Sequence, residues 1–187
     1  MAQNLNYETV GGYADDKVGS WCYQNDTANC SVYGRYYSWV ATMNISTTYE
    51  SSVYTDTVKH QGICPNGWHV PSGLEWENLY KAVGKDGNSL KAKGFTNWGT
   101  PTDTSGFSAL PGGHYFTKLS SISFNSLGDD AAFWTSSQEN ASFAYWWYIG
   151  ATETRLSYHG NGYSYIYSDT YSRNYKYMAR NVRCIMD

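Results

Sequence analysis

Charge is what this sequence has least of. Only 16% of its 187 residues are Asp, Glu, Lys or Arg, and the net charge is −3. A chain this weakly charged, and acidic, lacks the basic footprint that binds nucleic acid or an anionic membrane, so no nucleic-acid partner is expected. No apolar run approaches the roughly 20 residues that span a bilayer, so no membrane insertion is expected either. The opening stretch, MAQNLNYE, is polar and has no signal-peptide core. If the protein is exported, its export signal lies outside this sequence. The four cysteines show no CxxC or CxxH spacing, which removes the usual zinc signatures. The four histidines, His60, His69, His114 and His159, are scattered, and neither HExxH nor a nucleophile elbow occurs. The adjacent pair Asp129-Asp130 points apart on a strand and has no evident second carboxylate for glycoside hydrolysis. The protein is therefore expected not to be an enzyme and to hold no metal or cofactor.

Aromatic residues are what it has in abundance. There are 19 Tyr, 8 Trp and 18 Gly against only 4 Pro, a balance that favours strands and long ordered loops over a helical bundle. The concentration peaks between Tyr145 and Cys184, where tyrosines alternate with Ser, Asn, Asp, Thr, Gly and His. A core of Leu, Ile and Val would not carry so many hydroxyls, and a disordered tail would not carry so many rings. The closest chemical analogue is an antibody paratope, in which Tyr supplies rigid contact area and Ser, Gly and Asn supply adaptable hydrogen bonds. In an extended chain Tyr163, Tyr165 and Tyr167 share one face. Tyr145, Trp146 and Tyr148 are expected to be scaffold.

Cys22, Cys30, Cys64 and Cys184 allow three disulfide pairings, with four buried free thiols as the alternative. The favoured pairing joins Cys22 to Cys30 locally and Cys64 to Cys184 across about 120 residues, the latter worth roughly 4 kcal/mol in the chain-entropy model. Asn25, Asp26 and Asn29 offer oxygen ligands for calcium, but an Asx-turn loop uses the same residues and is the preferred reading. Asn29, Asn44 and Asn140 each begin an Asn-x-Ser triplet.

Helical spacing of Tyr36, Trp39, Val40 and Met43 predicts a first helix over 34–43. A second is predicted after Pro71, with Ser72 and Glu75 as a capping box, Leu74, Leu79 and Val83 as its buried stripe, and Gly84 at its C-cap. Leu5, Tyr7 and Val10 suggest an opening strand. Residues 20–30 read as a turn-rich loop and 44–61 as a Thr/Ser-rich surface loop. Phe95 and Trp98 read as core anchors. Residues 107–113 and 133–138 read as inner strands flanking a loop with His114, Tyr115, Phe116, Asp129 and Asp130. Residues 144–149 and 178–185 read as strands paired with each other. His69 beside Trp68 reads as an oriented structural histidine rather than a base.

Three motifs together carry a resemblance: GSWCYQNDTANCSVYGRYYSW at 19–39, CPNGWHVPSGLEWENL at 64–79, and FSALPGG, FWTSS and NVRC between Phe107 and Cys184. In this order they resemble the Fibrobacter succinogenes major paralogous domain of bacterial surface proteins and lipoproteins, over nearly the whole chain. That family is similar in motif order to C-type-lectin-like and formylglycine-generating-enzyme-like domains. The resemblance implies an α+β, C-type-lectin-like fold with two helices, small antiparallel sheets and a large loop-rich face. It also implies adjacent chain ends and a Cys64–Cys184 staple. Met178-Ala179-Arg180-Asn181 departs from the family's usual ending. The Glu-Pro-Asn, Gln-Pro-Asp and Trp-Asn-Asp strings of calcium-dependent lectins are absent, and formylglycine chemistry needs a reactive cysteine pair that disulfides would consume. A second resemblance is to the variable proteins of diversity-generating retroelements, whose adenine-mutagenised Asn codons yield the Tyr, Ser, Asp, His, Asn and Thr mixture seen here.

These readings converge on one domain over 1–187: a scaffold at 1–113, a candidate variable, ligand-binding part at 114–180, and a closing strand at 181–187. The expected contacts are His114, Tyr115, Asp129, Asp130, Tyr158, His159, Asn161, Tyr163, Tyr165, Tyr167, Asp169, Tyr171, Asn174 and Tyr175. The expected function is recognition of a protein or glycan, as an adhesin or receptor-binding domain at the cell surface, outside the cell or on a phage tail. The competing expectation is a structural module of a surface lipoprotein or pilus tip with no specific ligand. Oligomeric state is left open.

Overall fold

The computed structural model describes residues 3–9, 19–55, 59–118, 121–151, 156–159 and 175–187; for 116–118, 121–123 and 156–159 it describes the backbone alone. In chain order these form β1 (Ser20–Trp21), α1 (Thr27–Tyr33), β2 (Tyr36–Ser38), α2 (Trp39–Met43), β3 (Trp68–His69), α3 (Gly73–Ala82) and β4 (His114–Lys118). There follow β5 (Ser121–Asn125), β6 (Asp130–Gln138), β7 (Ala144–Gly150), β8 (Leu156–His159), β9 (Ala179–Arg180) and β10 (Ile185–Met186). The fold is α+β. Its sheets run β1-β2-β9-β4-β5, β10-β3 and β6-β7-β8, and every strand pair is antiparallel.

The β6–β7 hairpin is the centre of the molecule, because both of its faces are buried. Successive side chains on a strand point to opposite faces. Ala132 and Trp134 of β6, with Ala144 and Trp146 of β7, enter one core cluster with Trp39, Val40, Met43 and Val70. Ala131 and Phe133, with Trp147 and Ile149, enter a second with Trp76, Leu90 and Trp98. Strands buried on both sides need no polar alternation, which accounts for the near-continuous apolar sequences of the two strands. The cores are mainly aromatic: Trp39, Trp98, Trp134, Tyr36, Tyr37 and Tyr115 are all fully buried. Several of the polar atoms these rings carry are bonded to backbone carbonyls. Trp39 Nε1 donates to the Thr135 carbonyl at 2.9 Å, and Trp134 Nε1 donates to the Tyr37 carbonyl at 2.7 Å. The Tyr37 hydroxyl donates to the Tyr7 carbonyl at 2.7 Å. Burial pushes the Tyr36 and Tyr37 phenols well above their ordinary range.

Two buried arginines occupy opposite faces of this hairpin. The Arg180 guanidinium lies 5.5 Å from the Trp134 ring and 4.5 Å from Trp146. That of Arg183 lies 4.4 Å from Phe107 and 5.6 Å from Phe133. Each also donates to carbonyls, Arg180 to Tyr115 at 3.0 Å and Arg183 to Ser108 at 2.6 Å. Residues 181–184 therefore thread against β6: Trp134 N–H donates to the Asn181 carbonyl at 3.1 Å, and Asn181 N–H donates to Ala132 at 3.0 Å. This corrects the expected pairing of 144–149 with 178–185. β7 pairs with β6 and β8, and the closing segment divides its bonds among β2, β4, β6 and β3.

The two ends of the described chain meet. Leu5 N–H donates to the Val182 carbonyl at 2.9 Å, and Arg183 Nε donates to Asn4 Oδ1 at 2.8 Å. Residues 3–9 form no strand, and 10–13 of the expected opening strand lie outside the described residues. Both disulfides form, Cys22–Cys30 and Cys64–Cys184, so the free-thiol alternative does not hold.

The helices differ from expectation in instructive ways. There are three α-helices among the described residues, not two. Residues 27–33 are helical, although 20–30 was expected to be a turn-rich loop, because the Asp26 side chain caps the Ala28 N–H at 2.9 Å. The 34–43 helix shortens to α2, because Tyr36–Ser38 is drawn into pairing with β1 and β9. Local 3.6-residue spacing lost to sheet hydrogen bonds. α3 has the expected Ser72–Glu75 capping box, ends at Val83 as C-cap, and is followed by Gly84 at φ 65°. Its buried face, however, is Trp76 rather than Leu74, which is 64% exposed; Leu79 and Val83 pack at the margin. Trp98 is fully buried and Phe95 packs against the second cluster. Residues 107–113 contribute only single bridges at Ala109 and Gly113, and the loop expected after them is the β4–β5 hairpin.

Candidate functional site

The structure divides the expected contact residues between opposite ends of β6. At the Asp130 end, β6 opens against Gly150; at the Gln138 end it pairs with Ala144. Nine residues of strand separate the two by roughly 25 Å at about 3.3 Å per residue.

At the first end sits a buried polar group. The Tyr148 hydroxyl donates to Asp130 Oδ1 at 2.5 Å, and His114 Nδ1 lies 3.8 Å from Asp130 Oδ2. Burial pushes the Asp130 carboxyl up, and the Tyr148 and Ser126 hydrogen bonds only partly offset it. Burial, then the nearby Arg180 charge, push His114 down to about 3. Both groups therefore carry less charge than their types usually do, which is how an interior tolerates them. Asp129, by contrast, is exposed. Tyr115 has no exposed surface and stacks on Trp21 at 5.1 Å. Of the four residues expected to assist binding here, Tyr115 is core, His114 and Asp130 each keep 12% of their side-chain surface exposed, and Asp129 faces solvent.

At the other end lies an aromatic rim. Tyr158 and His159 belong to β8 and lie between the two ends: their backbones register against Trp147 and Trp146, which pair with Phe133 and Trp134 in the middle of β6. The chain is next described at Tyr175, which bridges to Phe143. Asn161, Tyr163, Tyr165, Tyr167, Asp169, Tyr171 and Asn174 lie outside the described residues. Tyr175 is half-buried, 4.6 Å from the Phe143 ring and stacked on Tyr177 at 4.8 Å and 15°. Between these tyrosines Lys176 turns inward and is fully buried. Its ammonium donates to the Tyr49 carbonyl (2.9 Å), the Ser52 carbonyl (2.8 Å) and Gln138 Oε1 (2.7 Å), and lies 4.7 Å from the Trp39 ring. Burial lowers it to about 8. Gln138 in turn holds Tyr54, accepting from its N–H at 3.2 Å and donating to its carbonyl. Tyr49 and Tyr54 meet edge-on at 4.9 Å, and Tyr54 meets His60 at 5.4 Å.

Sequence reasoning singled out Tyr175 but not Tyr49, Tyr54, Phe143, Lys176 or Tyr177, which the structure groups with it. One signal was available: in Tyr175-Lys176-Tyr177 the period of two puts the lysine on the face opposite the rings. Nothing local ties residues 49–54 to residues 175–177.

His69 is buried, as its structural reading requires. Its Nδ1 lies 2.7 Å from Asp187 Oδ1 and its Nε2 2.8 Å from Glu75 Oε1. Burial pushes the Glu75 carboxyl up, but the Ser72 N–H, His69 and the Ser72 hydroxyl hold it below its ordinary value. The imidazole thus joins the start of α3 to the residues after β10. Among the described residues, no group of three or more His, Cys, Asp or Glu is arranged to hold a metal ion, and no helix is long and apolar enough to cross a membrane.

A doubly buried hairpin, two disulfides of the kind typical of extracellular proteins, and a closing segment stapled beside the N-terminal residues define a disulfide-stapled α+β domain. More particularly, the chain belongs to the Fibrobacter succinogenes major domain family, whose model matches residues 1–186. No curated protein and no solved structure matches it.

Proposed function

We propose that this protein is a ligand-recognition domain, an adhesin or receptor-binding module displayed outside the cell, that binds a protein or glycan through its tyrosine-rich segment on a C-type-lectin-like scaffold. One observation carries the reading. The described flanks of that segment, His159 and Tyr175, register at Trp146 of β7 and at Phe143 just before it, three residues apart at a strand anchored in both cores. A rigid base under an aromatic, hydroxyl-rich segment is how a recognition loop gains contact area at low entropic cost. Binding proceeds by shape and aromatic contact, without covalent chemistry or metal. The residue mixture at 157–175 is that expected of retroelement diversification, and a reverse transcriptase with a near-copy template beside the coding sequence would establish it.

The test is the triple substitution Tyr163→Ala, Tyr165→Ala and Tyr167→Ala. Labelled domain is applied to a panel of bacterial and epithelial cells and read by flow cytometry. Binding is expected to fall to background while the thermal transition stays in place. Unchanged binding by a folded triple variant would overturn the reading.

A further inference from the structure

Both ring nitrogens of His69 face carboxylates, and the two carboxylates come from distant parts of the chain. Nε2 lies 2.8 Å from Glu75 Oε1 in the first turn of α3, and Nδ1 lies 2.7 Å from Asp187 Oδ1, just past β10. An ionised carboxylate only accepts hydrogen bonds, so each nitrogen must carry a hydrogen for both contacts to be bonds. Glu75 is held below its ordinary value and is ionised at neutral pH. The arrangement is that of an imidazolium between two carboxylates. The two ends of this bridge are not held equally. Glu75 also accepts from the Ser72 N–H and the Ser72 hydroxyl, both at 2.8 Å, and its side chain is 28% exposed. The Asp187 side chain is 49% exposed, and its backbone N–H donates to the Gly67 carbonyl at 3.1 Å. β10 itself is two residues long, pairs with β3 in a two-stranded sheet, and exposes Ile185 and Met186. A strand that buries so little depends on its ends, which are Cys184 in the staple to Cys64 and Asp187 on His69.

We propose that His69 is a proton-operated clasp: as an imidazolium it ties the chain after β10 to the start of α3, and as a neutral imidazole it keeps Glu75 and releases Asp187. A neutral ring has one N–H, and its other nitrogen then faces a carboxylate that, like itself, can only accept, so one contact breaks. The broken contact is that of Asp187, because water takes up its half-exposed carboxylate while Ser72 fixes Glu75. Release lets β10 lift from β3 as far back as the disulfide at Cys184. The clasp is closed on the acid side of the ring's titration and open on the alkaline side. It opens again in acid only where the two carboxylates take up protons. Imidazole is the side chain that ordinarily changes charge in the neutral range, which makes a change of surroundings able to work such a clasp.

The experiment is an NMR titration of the ¹⁵N-labelled domain from about pH 5 to about pH 10, a span wide enough to bracket an imidazole. At the acid end both His69 ring nitrogens are expected to resonate as protonated; at the alkaline end only one. Across that step the protection factor of the Asp187 amide against hydrogen exchange is expected to fall about 10-fold, the size of one charge-assisted hydrogen bond. The Trp134 amide, bonded to the Asn181 carbonyl in the core, is expected to keep its protection. Asp187→Asn offers both a donor and an acceptor and so pairs with either state of the ring. It is expected to erase the step in protection at position 187 while the ring still titrates. The clasp is overturned by a ring that holds one proton throughout, by a ring that keeps both protons to the alkaline end, or by Asp187 protection that ignores the ring's titration. An equal fall at Trp134 overturns it too, because the whole domain would then be loosening.

Discussion

The two faces of the β6–β7 hairpin are built from the same materials and end differently. Each has a large ring from both strands, Trp134 and Trp146 on the first and Phe133 and Trp147 on the second, and a buried arginine from the closing segment stacked on its rings. The second face is then covered by α3, whose Trp76 stacks on Phe133 at 5.3 Å and on Trp147 at 6.1 Å. The first is covered by α2, a helix of only five residues, and beyond it the aromatic packing continues outward into the half-buried tyrosines of the rim. A ten-residue helix closes a core; a five-residue helix leaves its edge to be finished by side chains from loops. Those loop tyrosines are held by Lys176 and Gln138, so the open edge is ordered without being covered.

The largest effect should come from removing what spans the two faces. Cys64→Ala with Cys184→Ala opens a closure with a sequence separation of 120 and should cost about 4 to 5 kcal/mol in urea unfolding; Cys22→Ala with Cys30→Ala, with a separation of 8, should cost about 2.5. Equal losses would show that chain entropy is not what the long staple contributes. Next come the faces themselves. Trp134→Ala on the first and Trp76→Ala on the second should each cost roughly 3 to 5 kcal/mol, Trp134 more because its indole also bonds the Tyr37 carbonyl. A much smaller loss at Trp134 would mean that the rim side is loosely packed.

A smaller effect at neutral pH grows on acidification. His114 is lowered to about 3 in the fold from about 6.5 in the unfolded chain, so the unfolded state binds the extra proton first. The stability this group contributes is present above pH ~6.5 and is lost as pH falls toward 3. His114→Gln should therefore flatten the decline of the melting temperature between pH 7 and pH 4; an unaltered slope would remove His114 from the account. Smallest of all, Leu74→Gln should shift stability by no more than about 0.5 kcal/mol, because Leu74 is 64% exposed while Trp76 carries the buried face of α3.

How much of this was legible beforehand depended on how local the cause was. Ser72 and Glu75 announce α3 because a capping box is satisfied within four residues. Tyr36 shows the opposite: its spacing with Trp39, Val40 and Met43 suits a helix, yet pairing with Trp21 across a sheet decided its state. Leu74 satisfied the apolar period as well as Leu79 does, and only the position of Phe133 and Trp147 selected Trp76. Of the expected contact residues, Tyr115 was misassigned because a tyrosine that stacks on Trp21 in a core reads the same in sequence as one that meets a ligand.

The sequence alone determined the family, the absence of a basic binding footprint, the start of α3 and the favoured cysteine pairing. Each follows from composition or from the order and spacing of motifs. Tertiary structure alone decided that Asp130 and Gln138 take opposite ends of β6, that two arginines are core residues, and that residues 49–52 are bonded to Lys176 between Tyr175 and Tyr177. The physical reason is range. Capping and side-chain periodicity act within a turn or two of chain, whereas the burial of both faces of one hairpin is settled by partners as far as 127 residues apart, as Lys176 and Tyr49 are.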